Sequence, residues 1–491
     1  MKHQISYILW IVVNFIFINC KCDIQKVPLS SNSSAALANV QSVSIDVINR
    51  EVIIELKENR RCENPTFLAR LSGVALYKLS PRLSESNNNK KQYRFSYPSV
   101  AVRGLYFLET IILYCENFDG DRPEMLCLVD PWRGDNIINA PYSVILEPTN
   151  AAGITSSNTS VVSSPHWAFQ SQLNQPALVH TRYQQKKCDS HGVCVWDEHE
   201  EGAAHHQQYD WVNGPNWRTA LTNLHREHTT VCFVGASHER FLSLAARALD
   251  RTGLGLAIVY IISRYPLLFN PKHLTMSDCD YAVIGYGQWP AGYNAVPPYT
   301  TSRFEAEMRK MLSTVVAPAY EGRAAVSLIS MNYNGFGAYH MSCPPFDHRT
   351  PPMVDAYNSI LQRLTTQVGV PFIDLGHIMG PMWDSAADYN HPGRKVFTAE
   401  AEWILHSLFT RPVQPSSSTG QRLVRFSPSG SIYLLRGSLA RPFPDMKTFE
   451  DYQYDLQKVE TLPKSALSSF RVGDSLVSYV GAAAQQKPLP P

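Results

Sequence analysis

The chain has 491 residues, enough for two or three domains, and 44% of them are hydrophobic, so a sizeable core can be buried. Its 44 basic and 42 acidic residues leave a formal net charge of +2. This balance gives no electrostatic reason to expect a nucleic acid or a strongly acidic partner.

The first 22 residues have the pattern of a secretory signal. Lys2 and His3 precede an apolar run over residues 5–18. The run is shorter than the about 20 residues that a transmembrane helix needs, so a cleaved signal peptide is favoured. An uncleaved signal anchor is the alternative, because no clear small-residue cleavage site follows. We expect a protein of the secretory pathway, either secreted or in a Golgi-type lumen, with membrane contact only if the anchor is kept.

An oxidising compartment makes the cysteines candidates for disulfides. Cys188 and Cys194 are spaced to close a short loop. In the N-terminal region, Cys62 has two candidate partners, Cys115 and Cys127. The sequence does not choose between them.

Cys279 and Cys343 flank segments that we place near the active site, so we expect this pair to bond. Cys232 lies inside an apolar run and is predicted to be a buried free thiol. No CxxC pair occurs, which argues against a structural zinc site. Asn32 and Asn158 begin glycosylation sequons, as in many secreted proteins.

Residues 40–148 contain short strand-like runs separated by turn residues. The runs cover residues 43–48, 52–56, 73–79, 93–97, 105–114 and 142–146. This punctuation predicts an antiparallel β-sandwich-like domain. We find no catalytic constellation in it and interpret it as a structural or binding module.

Residues 149–164 are rich in Ser, Thr, Asn and Ala and are predicted to be a linker. The irregular stretch that follows places His199, His205 and His206 among carboxylates. A metal site there is conceivable, but the spacing matches no specific ligand pattern. A solvated loop of mixed charge is favoured, so we expect neither a metal nor a cofactor.

The next part of the chain, residues 180–412, is predicted to be the catalytic domain. Strands are predicted at 231–234, 256–262, 281–284, 325–331 and 371–375, and helices at 239–249, 303–315, 353–368 and 399–409. Buried strands that alternate with helices indicate an α/β fold with a parallel sheet covered on both faces. Ligands bind beyond the carboxyl ends of such strands.

Residues 412–420 form a Pro/Ser linker, and residues 421–480 are predicted to be a small accessory module.

Ser237 follows a buried strand and opens a helix, so its side chain is expected on a sharp turn. N–H groups at a helix N-terminus favour negative charge, which suits a serine nucleophile with an oxyanion donor in its own backbone. Far downstream, Asp388 stands three residues before His391. His391 would accept the serine proton and Asp388 would orient the imidazole. Each residue alone fits a capping role, but their combination predicts a hydrolase-type triad.

Four segments resemble the SGNH hydrolase superfamily, in particular its PC-esterase branch, which includes the trichome-birefringence-like polysaccharide O-acetyltransferases. The resemblance covers roughly residues 196–408. It is carried by the sequences FVGAS at 233–237, DYAVIGYGQW at 280–289, CPPFDHRT at 343–350, and WD followed by DYNHP at 383–392.

The resemblance implies a flavodoxin-like three-layer fold and an acyl-serine intermediate. It also implies oxyanion donors from the Ser237 amide and from the loop after the third strand, here Gly287 and Gln288. Asn332 or Asn334 is a further candidate. The family's Gly-Asp-Ser is Gly-Ala-Ser here, so Ala236 removes a carboxylate beside the nucleophile. The Gly-x-Asn-Asp block of the wider superfamily is not evident.

Two functional hypotheses follow. The first is a serine-dependent acyl ester hydrolase or O-acyltransferase that acts on carbohydrate, with acetyl as the expected acyl group and an acylated glycan as the substrate. The alternative is a non-catalytic secreted glycan-binding protein on a decayed hydrolase scaffold. Ala236 favours the alternative, whereas the intact Ser237, Asp388 and His391 set argues against it.

Overall fold

A computed structural model describes residues 24–27, 40–57, 65–87, 90–98, 100, 104–115, 118–122, 143–146, 165–169, 185–188, 194–196, 209–224, 229–250, 256–270, 273–274, 279–292, 295, 297–315, 324–333, 347–382, 391–410, 422–427, 430–436, 439–451, 456–472 and 475. The chain divides into two units. The first comprises residues 1–117, 134–161 and 176–178, and the second comprises residues 118–133, 162–175 and 179–491.

The first unit is built from antiparallel strands. Those that the structure describes are β1 (Ile24–Val27), β2 (Val40–Asp46), β3 (Glu51–Lys57), β4 (Thr66–Gly73), β5 (Ala75–Lys78), β6 (Ser80–Asn87), β7 (Lys90–Ser96), β8 (Gly104–Tyr114) and β9 (Ser143–Leu146). One sheet has the order β1-β2-β3-β7-β6. In another, β4 pairs with both β5 and β8, and β8 pairs with β9.

Both sheets of the first unit contribute to a single hydrophobic core. Val43 and Ile54 enter it from one sheet, and Leu71 and Tyr106 enter it from the other, all fully buried. Alternating apolar residues on two antiparallel sheets are the basis of a sandwich, which agrees with the strand pattern of this region.

The second unit mixes strands and helices. Its described strands up to residue 373 are β10 (His166–Phe169), β11 (Gln185–Cys188), β12 (Cys194–Trp196), β13 (Tyr209–Val212), β14 (Thr229–Gly235), β15 (Leu256–Ile262), β16 (Tyr281–Ile284), β17 (Ala325–Ile329) and β18 (Phe372–Ile373). The α-helices of the same part are α1 (Trp217–Asn223), α2 (Ser237–Leu249), α3 (Gln288–Ala291), α4 (Thr301–Val315), α5 (Pro351–Val368), α6 (Gly376–Met379) and α7 (Arg394–Phe409).

A five-stranded parallel sheet organises this part, with the order β15-β14-β16-β17-β18. This is the strand order of flavodoxin-like sheets, whose ligands bind where the order reverses, next to the first strand. The first strand here is β14, and every one of its residues is buried. The prediction of a parallel sheet is therefore confirmed, and the carboxyl end of β14 lies at the point where a ligand site is expected.

All four predicted helices begin earlier than the sequence pattern suggested, α2 and α4 by two residues each. Helix α5 starts at Pro351, because proline fits the first turn, where a missing N–H costs no hydrogen bond. Helix α7 starts at Arg394, directly after Gly393. Strand β18 is shorter than predicted and covers only Phe372–Ile373.

A further sheet, with both parallel and antiparallel pairs of strands, follows near the C-terminus. Its strands are β19 (Arg422–Ser427), β20 (Ile432–Arg436), β21 (Leu439–Pro442), β22 (Glu460–Pro463) and β23 (Arg471–Val472), in the order β22-β19-β20-β21-β23. Helix α8 (Met446–Asp451) lies between β21 and β22 in the sequence. The hydrophobic core on this C-terminal sheet is formed by Val424, Phe426, Leu435 and Ala440.

The structure corrects two predictions about cysteines. Cys232 is not a free thiol, and Cys279 does not pair with Cys343, because Cys232 and Cys279 form a disulfide with a Cα–Cα distance of 5.7 Å. Cys279 lies two residues before β16, the neighbour of β14 in the sheet, and this brings it next to Cys232. The bond joins the strand that leads to Ser237 to its neighbour.

Other sequence predictions about the secretory pathway are only partly covered. Cys115 is disulfide-bonded, while Cys62, its candidate partner, and Cys127, the alternative partner of Cys62, lie outside the described residues. Cys188 stands opposite Cys194 in the β11–β12 hairpin. The signal segment, both sequons and the loop histidines His199, His205 and His206 also lie outside the described ranges. Among the described helices, none has both the length and the apolar character needed to cross a membrane.

Candidate active site

Ser237 lies at the turn between the buried strand β14 and helix α2. Gly235 ends the strand, Ala236 is the N-cap residue with φ −96° and ψ −144°, and Ser237 is the first helical residue. N–H groups in the first turn of a helix have no acceptor within the helix. The Ser237 backbone can therefore donate a hydrogen bond to an anion beside its own side chain.

His391 is brought directly to this serine. Its Nε2 lies 2.8 Å from the Ser237 Oγ, across a sequence separation of 154 residues. The distance is within hydrogen-bond reach, as a nucleophile and its general base require. His391 stands just before α7, and α7 packs against α2. The packing of these two helices thus places the imidazole over the start of α2.

Aromatic side chains surround the imidazole of His391. The Phe241 ring meets it edge-on with centroids 4.7 Å apart, and the His238 ring lies at 5.1 Å. Phe397 of α7 packs against both Phe241 and His238. His238 and Phe397 are both buried. These contacts restrict the rotation of the His391 ring.

The third predicted member of the triad, Asp388, lies outside the described residues, as does Asn334. The orienting role of Asp388 therefore remains a prediction.

Gly287 is a candidate oxyanion donor through its backbone. It is the N-cap residue of α3, with φ 137° and ψ −36°, a conformation that favours glycine. A Cβ at this position would lie 2.6 Å from the Met331 Sδ. Backbone shape and lack of space thus both favour glycine here, at the turn after β16.

The side-chain amides of Gln288 and Asn332 are engaged in internal hydrogen bonds. The Gln288 Nε2 donates to the backbone carbonyl of Asn332 at 2.7 Å. The Asn332 Nδ2 in turn donates to the Glu400 Oε2 at 2.8 Å. Both residues are buried and brace the turns after β16 and β17. Among the proposed donors, the backbone N–H groups of Ser237 and Gly287 are left as the stronger candidates.

A small pocket lies at the carboxyl ends of the parallel strands. Turns that follow four of these strands line it. The lining residues are Ala236, His238, Glu239, Leu242, Arg264, Gly285, Tyr286, Gly287, Gln288, Trp289, Ile329, Ser330, Met331 and Asn332. Its position agrees with the site expected for this sheet order.

Two buried glutamates that the sequence pattern did not reveal lie in this region: Glu239 lines the pocket, and Glu400 accepts a hydrogen bond from Asn332, which lines it. Burial raises the pKa of Glu239 to about 7, although N–H donors from its own backbone and from Ala236 oppose the rise. Burial also raises the pKa of Glu400 to about 8, with a further rise caused by Glu239 and an opposing effect of the Asn332 hydrogen bond. Both carboxyls thus bind their protons more tightly than exposed glutamates do.

A weak signal for Glu239 was present in the sequence. Glutamate at the third helical position is typical of a capping box, in which its carboxylate accepts the N–H of the N-cap residue. The motif normally begins with Ser or Thr, and Ala236 in that place hides it. Glu400 gives no comparable signal, because the sequence does not show which face of α7 is buried.

No family model matches the chain, and no curated protein matches it. A search of solved structures found a GDSL-like lipase from Bacteroides thetaiotaomicron VPI-5482, with 14% identity, a TM-score of 0.29, and coverage of 39% of this chain and 97% of that one. It also found an acetyl xylan esterase with 12% identity, a TM-score of 0.27, and coverage of 37% of this chain and 99% of that one. A mutant acetyl-xylooligosaccharide esterase from Geobacillus Stearmophilus was found as well, with 13% identity, a TM-score of 0.26, and coverage of 39% of this chain and 99% of that one. These similarities cover less than half of the chain and assign no activity to it.

Proposed function

We propose that the protein is a serine-dependent ester hydrolase or acyltransferase, with Ser237 as the nucleophile and His391 as the general base. The observation that carries the proposal is the distance of 2.8 Å between the His391 Nε2 and the Ser237 Oγ. The serine also stands at a helix N-terminus, at the carboxyl end of the first strand of the sheet. This combination supplies a base for the nucleophile and donors for the developing oxyanion.

The reaction proposed for this site has two steps. In the first, the Ser237 Oγ bonds to the acyl carbon, the His391 Nε2 takes the serine proton, and the ester C–O bond breaks as His391 returns that proton to the leaving alcohol. In the second, water or an acceptor hydroxyl attacks the acyl-serine with His391 again as the base, and the serine is regenerated. The acceptor decides whether the outcome is hydrolysis or transfer.

The backbone N–H groups of Ser237 and Gly287 are proposed as the oxyanion donors. Both stand at turns that follow neighbouring strands, β14 and β16. Loss of one such donor typically lowers kcat about 100-fold to 1000-fold. Asp388 is proposed to orient His391, as the Asp-x-x-His spacing in the sequence suggests.

The substrate is proposed to be an acylated carbohydrate, with acetyl as the acyl group. This part of the proposal rests on the resemblance of the sequence to the PC-esterase branch of SGNH hydrolases. The N-terminal signal pattern adds the secretory pathway as the place where such a substrate is met.

The test uses the purified full chain with a fluorophosphonate probe and with p-nitrophenyl acetate. We expect labelling and turnover by the wild type, and loss of at least 100-fold in Ser237→Ala and His391→Ala. Ser243→Ala is the matched control, because Ser243 lies on the same helix and its Oγ donates to the Arg240 carbonyl of that helix. A wild-type protein that is folded but neither labelled nor active would instead support the non-catalytic glycan-binding hypothesis.

A further inference from the structure

We infer that Glu239 is a positioning residue, which fixes the nucleophile turn against the neighbouring turn after β16; this inference rests on the proposed function. Glu239 stands two residues after Ser237 and is 5% exposed. Burial of a carboxyl group at a helix start destabilises the fold through desolvation, unless the contacts of that group compensate. The contacts of Glu239 show what it does there.

The first contact is with the residue before the nucleophile. The Ala236 N–H donates to the Glu239 Oε2 at 2.7 Å, and this bond is buried. The Ala236 carbonyl is held as well, because the Tyr260 Oη donates to it at 2.9 Å. Both polar groups of Ala236 are therefore fixed, one by Glu239 and the other by Tyr260. The peptide that carries Ser237 has little freedom to move.

The second contact is with two glycines at the ends of neighbouring strands. A Cβ on Gly235 would lie 2.4 Å from the Glu239 Oε2, and a Cβ on Gly285 would lie 2.0 Å from its Oε1. The carboxyl group thus occupies the space that side chains at these two positions would need. It packs against the ends of both strands, β14, which leads to Ser237, and β16, which leads to Gly287, where the Gly285 N–H also donates to the Val234 carbonyl at 2.9 Å.

This geometry connects the two proposed oxyanion donors. Ser237 and Gly287 each follow one of the two glycines by two residues. A carboxyl packed against both glycines, and bonded to the Ala236 N–H, restrains the two turns and hence the placement of their N–H groups. An error of about 1 Å in such placement can lower a rate roughly 100-fold. Glu239 also supplies a carboxyl group beside Ser237, at a turn where the family that the sequence resembles has an aspartate in place of Ala236.

Several titratable groups face or influence this carboxyl. They are Tyr260 of β15, Tyr286 after β16, Glu400 of α7, His238 of the same pocket, and the cations Arg240 and Arg264, which oppose the effect of Glu239 on Tyr260. None of the described hydrogen bonds of Glu239 is to a cation. Its role is therefore that of a hydrogen-bond acceptor and spacer rather than of an ion-pair partner.

The experiment compares Glu239→Ala, Glu239→Asp and Glu239→Gln with the wild type. We expect Ala and Asp to lower kcat for p-nitrophenyl acetate by 10-fold to 100-fold with KM changed less than threefold, because neither side chain reaches both turns. Glutamine keeps the volume and an acceptor oxygen, so its kcat should stay within about threefold. Rates are divided by the fraction of folded protein, measured by circular dichroism. A folded Glu239→Ala with wild-type kcat would overturn the inference.

A second measurement does not depend on catalysis. In protein labelled with ¹⁵N-alanine, the Ala236 amide should exchange its hydrogen at least 10-fold faster in Glu239→Asp than in the wild type. In Glu239→Gln its protection should be retained. If the wild type fails to react with the fluorophosphonate, the proposed function fails. The exchange rate of the Ala236 amide then still tests whether Glu239 holds the turn. If the wild type reacts and the amide is unchanged in Glu239→Asp, the inference alone fails.

Discussion

Asn332 and Glu400 form a buried hydrogen bond of 2.8 Å that ties the turn after β17 to helix α7. Only one oxygen of the Glu400 carboxyl takes part, and its Oε1 has no hydrogen-bond partner among the described residues. A half-satisfied buried carboxyl is costly when ionised. This relationship makes the stability of the protein depend on pH.

We predict that Glu400→Gln stabilises the protein at neutral and alkaline pH. Burial raises the pKa of Glu400 to about 8 in the folded state, whereas in the unfolded chain this pKa stays near 4.5, the ordinary value for glutamate. The native state thus binds the proton more tightly, and stability falls as pH rises from about 4.5 through about 8. Glutamine keeps the bond to Asn332 without the charge. We expect a gain of about 4 kcal/mol at pH 8.5 and little change at pH 4.5.

Urea unfolding at a series of pH values measures this effect. Glu239 contributes a dependence of the same sign, because its pKa is raised to about 7. The decrease in the free energy of unfolding with rising pH should therefore become smaller in Glu400→Gln without disappearing. A variant with the same free energy of unfolding as the wild type at pH 8.5 would contradict the prediction.

The disulfide between Cys232 and Cys279 should contribute strongly to stability. It closes a loop with a sequence separation of 47 residues. A loop of this length corresponds to about 4 kcal/mol in the chain-entropy account of disulfides. We expect the double variant Cys232→Ala/Cys279→Ala to lose a similar amount, measured by urea unfolding without reductant. Wild-type stability in that variant would show that the bond contributes little.

Phe241 should support the reaction while contributing little to stability. Its ring is 38% exposed but packs edge-on against His391 and stacks on Phe397. Phe241→Ala frees the imidazole to leave its hydrogen bond to Ser237, so we expect kcat to fall about 10-fold with a change in Tm of less than about 3 °C. Leu244→Ala is the matched control on the same helix, since Leu244 is 46% exposed. Equal effects of both substitutions would argue against a specific role for Phe241.

Gly287 should tolerate no side chain. Gly287→Ala combines an unfavourable φ of 137° with a Cβ 2.6 Å from the Met331 Sδ. We expect a loss of about 2 to 4 kcal/mol in the free energy of unfolding. Gly369→Ala is the control: its φ is 72°, yet nothing lies within 4 Å of the added Cβ, so a loss of about 1 kcal/mol is expected. The labelling rate of the folded fraction should fall only in the Gly287 variant.

The sequence allowed the parallel sheet and the Ser237 turn to be predicted because buried strands are read directly from apolar runs. β14 is buried along its whole length, and the helix that follows begins at the residue expected to be the nucleophile. His391 was paired with Ser237 on residue types alone, because a serine nucleophile needs a base and Asp388 three residues earlier could orient the imidazole.

Other features depend on spatial neighbours that one sequence does not reveal. Cys232 pairs with Cys279 because β14 and β16 are adjacent, and a strand order is not visible in apolar periodicity. Glu239 and Glu400 are buried although charged residues on helices usually face water. Their burial follows from the space left by Gly235 and Gly285 and from the packing of α7.

The disulfide also determines how the protein responds to mechanical load. A force that pulls on the two ends of the chain passes through the bond between Cys232 and Cys279 and bypasses the residues enclosed by it. Ser237 lies within this shielded segment, whereas His391 lies beyond it. Stretching would therefore draw the imidazole away from the serine while the enclosed segment stays slack, and its length would be released only after the bond is reduced.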